Sequence, residues 1–123
     1  MNIRHYRGDN RTLALTVTDA NGVVDLGGAS IWFTVKRSAN DLDADAIISK
    51  ASGSVPGGGN EQIDITSPAT GEAEIYILPE DTAGLQVPTY DWVYDVQVKT
   101  SEDKVYTVKQ GTFRLLPEIT HSG

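Results

Sequence analysis

A chain of 123 residues without cysteine can close one hydrophobic core unaided, and it excludes disulfides, thiolate metal centres and cysteine nucleophiles together. The formal charge of −7, from 17 acidic against 10 basic residues, opposes binding to a nucleic-acid backbone. No stretch reaches the ~18 consecutive apolar residues of a membrane helix, and the start at Met1 shows no secretory leader, so the expectation is one soluble domain over 1–123 that needs no membrane partner.

The first element is a short strand through Arg4, ending at Arg7-Gly8-Asp9. Residues 1–11 hold Arg4, Arg7 and Arg11 against Asp9, a local +2 that leaves −9 for the remainder. Such a basic strand suits docking on an acidic neighbour, a second copy included. It equally suits a solvated edge strand that resists aggregation. Arg7-Gly8-Asp9 is also a tripeptide that some cell-surface receptors read, and Asn10-Arg11-Thr12 fits a glycosylation sequon. Without a secretory leader the sequon is not expected to meet a glycosylating enzyme, and receptor reading is set aside because the motif would have to protrude outside a cell.

Leu13, Leu15 and Val17 then alternate with Ala14, Thr16 and Thr18, a strand pattern. Asp19-Ala20-Asn21-Gly22 supplies a hairpin or tight corner, because Asn-Gly accepts positive φ. After Gly27-Gly28, Ile31, Phe33 and Val35 alternate with Trp32, Thr34 and Lys36. Residues 38–60 read as a mobile, polar and glycine-rich loop around a short Ala46-Ile47-Ile48 strand.

Ile63 and Ile65, a Ser67-Pro68-Ala69-Thr70-Gly71 turn, and Ala73, Ile75 and Ile77 form a second hairpin. Pro79-Glu80-Asp81-Thr82-Ala83-Gly84 is one helical turn at most, with proline first, acids near the start and glycine last. Tyr90, Trp92, Tyr94, Val96 and Val98 share the inward face of a long strand. In the last strand Tyr106 and Val108 fall on even positions but Phe113 and Leu115 on odd ones, which calls for a bulge near Gln110-Gly111. Residues 117–123 form a tail, which either frays or adds to a neighbour's sheet.

Seven to eight short antiparallel strands with one helical turn near 79–84 predict an all-β protein, an immunoglobulin-like sandwich, with a barrel as the competing closure. The passage from Asp81 through Leu85 and Pro88 to Tyr90 is similar to the corner of immunoglobulin-type sandwiches, where a tyrosine hydroxyl pins the crossing.

Several strings in a fixed order carry a wider likeness: Arg7-Gly8-Asp9, then "DANGVVDLGGASIWFTVKR", "LPEDTAGL" and "YDVQVKTSEDKVYTVKQGTFRLLPEIT". Over residues 3–120 the chain resembles small immunoglobulin-like proteins of tailed bacteriophages, nearest the N-terminal domain of phage upper baseplate proteins. Departures lie in the 38–60 loop and in Gln86-Val87-Pro88-Thr89.

The resemblance implies a non-enzymatic structural protein made in the host cytoplasm and carried in the virion, docking on tail or baseplate proteins and on other copies of itself. A head decoration protein is the alternative. A carbohydrate-binding module, with Trp32 and Tyr76 stacking on sugar rings, is a second. In phage proteins of this kind Arg7-Gly8-Asp9 sits where the first strand turns into the second, with Gly8 allowing the bend and Asp9 capping it through its carboxylate.

Candidate chemistry is sparse. His5 and His121 lie near opposite termini, remote from any nucleophile pattern, so no catalytic residue is assigned. Asp41, Asp43 and Asp45 imitate the start of a calcium loop. Ala46 replaces its glycine and Ser52 its bidentate glutamate, so a solvated acidic loop is the better reading, with a surface calcium site built on loop carbonyls as the alternative. No metal or cofactor is expected. Trp32 points away from the inward face, where an indole either marks an interface or is covered by the glycine-rich loop; Trp92 is expected in the core. The candidate partner-binding residues are therefore Arg4, Arg7, Arg11 and Trp32.

Overall fold

Alternation at period two becomes strand at nearly every place it occurs. The computed structural model describes residues 2–38, 40, 46–52, 63–88 and 90–117. Its described residues form β1 (Ile3–Tyr6), β2 (Arg11–Thr16), β3 (Thr18–Asp19), β4 (Gly22–Val23), β5 (Ser30–Lys36), β6 (Ile48–Ala51), β7 (Ile63–Ser67) and β8 (Glu72–Ile77). The helical turn α1 (Pro79–Thr82), β9 (Trp92–Lys99) and β10 (Val105–Leu116) complete them. The protein is all-β.

Eight strands build two sheets, a five-stranded one in the order β1-β10-β9-β5-β6 and a three-stranded one in the order β2-β8-β7. The other two form the small hairpin expected at Asp19–Gly22, whose Gly22 takes a φ of 111°. The inward rows of both sheets share one core: Ile31, Phe33, Val35, Trp92, Val96, Val98, Phe113 and Leu115 from the larger, Leu15, Ala73, Ile75, Ile77 and Ile63 from the smaller. Trp92 stacks on Phe113 at 6.4 Å and Phe33 meets Tyr94 at 5.7 Å. Each fully buried aliphatic or aromatic side chain adds about 1.5–3 kcal/mol, so packing holds the sheets together without a disulfide.

Four expectations need correction. The pairing is not wholly antiparallel, because β1 runs parallel to β10, with Ile3 opposite Phe113; the chain's first strand joins its last and not its sequence neighbour β2. The bulge in β10 exists, but at Val108, between Thr107 opposite Gln97 and Lys109 opposite Val96. It comes earlier than the glycine because Val108 packs against the core, and the switch is needed as soon as Tyr106 has paired with Val98. The short strand after the loop covers Ile48–Ala51, later than Ala46–Ile48. Tyr90 precedes β9 and is 54 % exposed, so it belongs to no inward row.

The corner before β9 is held by other groups. Asp81 closes α1 by accepting the Leu78 amide at 2.7 Å and pairs with Lys50 at 2.6 Å. Lys50 stands on the inward face of β6, 4 % exposed. A buried ammonium is stable only with such a partner. Asp81→Ala should therefore cost about 3–5 kcal/mol, because it strands the Lys50 charge. Lys50→Met should cost clearly less, since Asp81 lies at the margin and keeps its amide bond. Urea denaturation of the two variants measures the difference.

Candidate functional site

The turn after β1 and the corner after β8 lie against each other. Gly8, at a φ of 86°, donates its amide to Thr82 Oγ1 at 2.8 Å, and Thr82 is fully buried. Arg7 Nη1 donates to the Leu85 carbonyl at 3.0 Å, while the Arg7 amide donates to the Leu116 carbonyl at 2.9 Å. Arg7-Gly8-Asp9 is thus a joint of the fold, with Asp9 closing the turn through its amide to the Tyr6 carbonyl and not, as expected, through its carboxylate.

The four candidate partner-binding residues separate accordingly. Arg7 is tied inward. Arg11 lies at the rim and donates from Nη1 to the Arg4 carbonyl at 2.6 Å, which blunts the outer edge of β1. Arg4 is exposed and, by alternation with buried Ile3 and His5, stands on the outer face of the five-stranded sheet. Trp32 stands on that same face, 37 % exposed.

Arg4 and Trp32 are nevertheless not neighbours. Three strand spacings, about 14 Å, separate β1 from β5. Trp32 is level with Gln97 and Arg4 with Arg114, an offset along the strands of about 20 Å. The face therefore holds two separate places.

The first, beside the chain ends, has Arg4, Arg114 and Tyr6, the last 51 % exposed. Arg114 Nε binds Asp91 at 2.7 Å. The second is a shallow trough of about 670 Å³ with Trp32 at one side and Thr34, Ser49, Asp95, Gln97 and Gln110 lining it. Tyr76 lies opposite Thr12 on the other sheet, so it cannot join Trp32 in stacking on one ligand.

The opposite outer face differs in charge. Glu74 stands across from both Ala14 and Asp64, and Glu72 lies two residues away on the same side. Among the described residues no three His, Cys, Asp or Glu converge as metal ligands. Asp41, Asp43, Asp45, the glycine run at 57–59, His121 and residues 118–123 of the tail lie outside the described residues.

His5 is placed inward, against the polar character of its side chain. It is 2 % exposed, its ring 6.0 Å from Phe113, and its Nε2 finds no partner among the described residues; the same holds for Trp92 Nε1. The only signal was parity, since His5 follows Ile3 at strand spacing. Lys50 after Ile48 repeats that pattern.

No family model matches the chain, and no curated protein matches it.

Burial holds the His5 imidazole below its ordinary value of 6.5, helped by Arg11 and opposed more weakly by Asp9 and Asp81. The unfolded chain then binds this proton more readily than the folded one. The stability that neutral His5 confers is therefore present above pH ~6.5 and is lost as pH falls through the lowered value. Urea midpoints measured between about pH 7 and pH 5 should drop more steeply for the wild type than for His5→Leu.

Proposed function

We propose that this chain is an immunoglobulin-like structural protein of a tailed-phage particle, without enzymatic activity, which docks at the tail or baseplate through the chain-end corner of its larger sheet. Strand order supports the immunoglobulin-like part. The order β2-β8-β7 is like that of strands B, E and D in such sandwiches, and the order β10-β9-β5-β6 like that of G, F, C and C′. Two departures accompany it: the strand-C tryptophan, Trp32, faces outward, and the inward one, Trp92, lies on strand F.

The observation that carries the docking surface is the set of exposed Arg4, Tyr6 and Arg114 on adjacent strands, parallel and in register, beside the end of β10. Asp91 offsets Arg114, so on a protein of net charge −7 this corner keeps the positive charge of Arg4 beside an aromatic ring. Arginine and tyrosine are the residue types that dominate binding energy at interfaces. Arg7, by contrast, serves the fold, so a triple replacement of Arg4, Arg7 and Arg11 would confound docking with stability. The acidic partner implied is another virion protein.

The test is quantitative mass spectrometry of purified particles separated into heads and tails. The chain should follow tails, at a copy number that is a multiple of three or six where it docks on a three- or sixfold assembly. Enrichment with heads would replace this reading by capsid decoration, and absence from both would overturn it. Arg4→Glu combined with Arg114→Gln should reduce incorporation by more than about tenfold and shift the urea midpoint only slightly, because both side chains are exposed and the Arg114–Asp91 pair that is lost lies at the surface.

A further inference from the structure

The trough at Trp32 is a second place on the same face, about 25 Å from the chain-end corner, and the docking just described leaves it without a role. Side chains on a sheet face stand roughly perpendicular to it, so strand register decides what lies beside the indole. Gln97 is directly opposite Trp32. In the next row Asp95 stands between Thr34 and Gln110, and Thr34 is flanked on its other side by Ser49. One aromatic plane therefore borders two rows of short polar groups.

Those groups define a ligand chemistry. Glutamine amides and the hydroxyls of serine and threonine both donate and accept, and a carboxylate accepts through two oxygens. Asp95 and Gln110 already have interactions within the protein, and a carboxylate or an amide can take part in more than one hydrogen bond at once. Lys36 and Asp95 both line the trough and cancel in charge, so no net field selects an ion. Val93 is the one aliphatic side chain among the described lining residues, so the wall beside the indole is polar. A volume of about 670 Å³ is within the usual range for small-molecule sites.

We propose that this trough binds a neutral oligosaccharide, the apolar C–H face of one sugar ring lying on the Trp32 indole and its hydroxyls held by Gln97 and Asp95. A sugar has an apolar face and a polar rim, and the trough supplies an apolar plane beside a polar wall. The site does not depend on the virion assignment.

The test is calorimetry and tryptophan emission on the whole chain, titrated with cellohexaose, maltohexaose, xylohexaose and chitohexaose, backed by a broad glycan array. Trp92 is 3 % exposed and contributes a constant background, so a saturable emission change reports on Trp32. At least one glycan should bind saturably and independently of salt, as a neutral ligand must. Trp32→Ala should weaken it by more than about tenfold and Gln97→Ala by several-fold, whereas Arg4→Glu should leave it unchanged. Lack of saturable binding to any glycan, binding that survives Trp32→Ala, or binding that salt abolishes would each overturn the proposal. Glycan binding by a chain absent from particles would overturn the virion reading alone.

Discussion

The fold depends on the joint where two crossings between the sheets meet. The chain passes from the larger sheet to the smaller at residues 7–10 and returns after β8 through α1, and the two passages are bonded directly by Gly8 to Thr82 and by Arg7 to Leu85. Lys50 brings the edge strand β6 to the same corner through Asp81. Each of these groups would be costly if left unpartnered, since a partly buried amide or ammonium loses water without compensation. The joint thus fixes how the two sheets meet at this end, and packing of the aliphatic rows does the rest.

That constraint shapes the surface as well. Because Arg7 is drawn inward and Arg11 lies along the β1 edge, the basic first strand presents Arg4 and Tyr6 outward instead of a run of free arginines. Parallel pairing of β1 with β10 then sets Arg4 beside Arg114. The cationic corner is a product of pairing between the two ends of the chain, and its field is local because the rest of the protein is acidic. Trp32, at the other end of the same face, is bordered by polar side chains in register and answers to a different chemistry.

Much of the fold was legible in the residues. Alternation showed the inward rows of β2, β5, β8 and β9 and the need for a bulge in β10, whose position only the packing of Val108 decided, and the order proline, acids, glycine showed the helical turn at Pro79. The site was less legible. Four residues chosen one at a time from charge and exposure turned out to serve three purposes: Arg7 joins the sheets, Arg11 covers an edge, and Arg4 and Trp32 occupy separate places on one face.

The sequence by itself determined an all-β protein, because period-two hydrophobicity specifies which side of a strand is buried wherever the strand lies. It also marked the two strings, Arg7-Gly8-Asp9 and Pro79-Glu80-Asp81-Thr82, that punctuate the strands. Only the tertiary structure decided that these two strings bind each other, that His5 and Lys50 point inward, and that β1 pairs with β10. The reason is that alternation is a local property of each strand. Which strands become neighbours depends instead on the collective packing of residues distant in the chain, and contacts such as that between residues 8 and 82 leave no trace in the pattern of either segment.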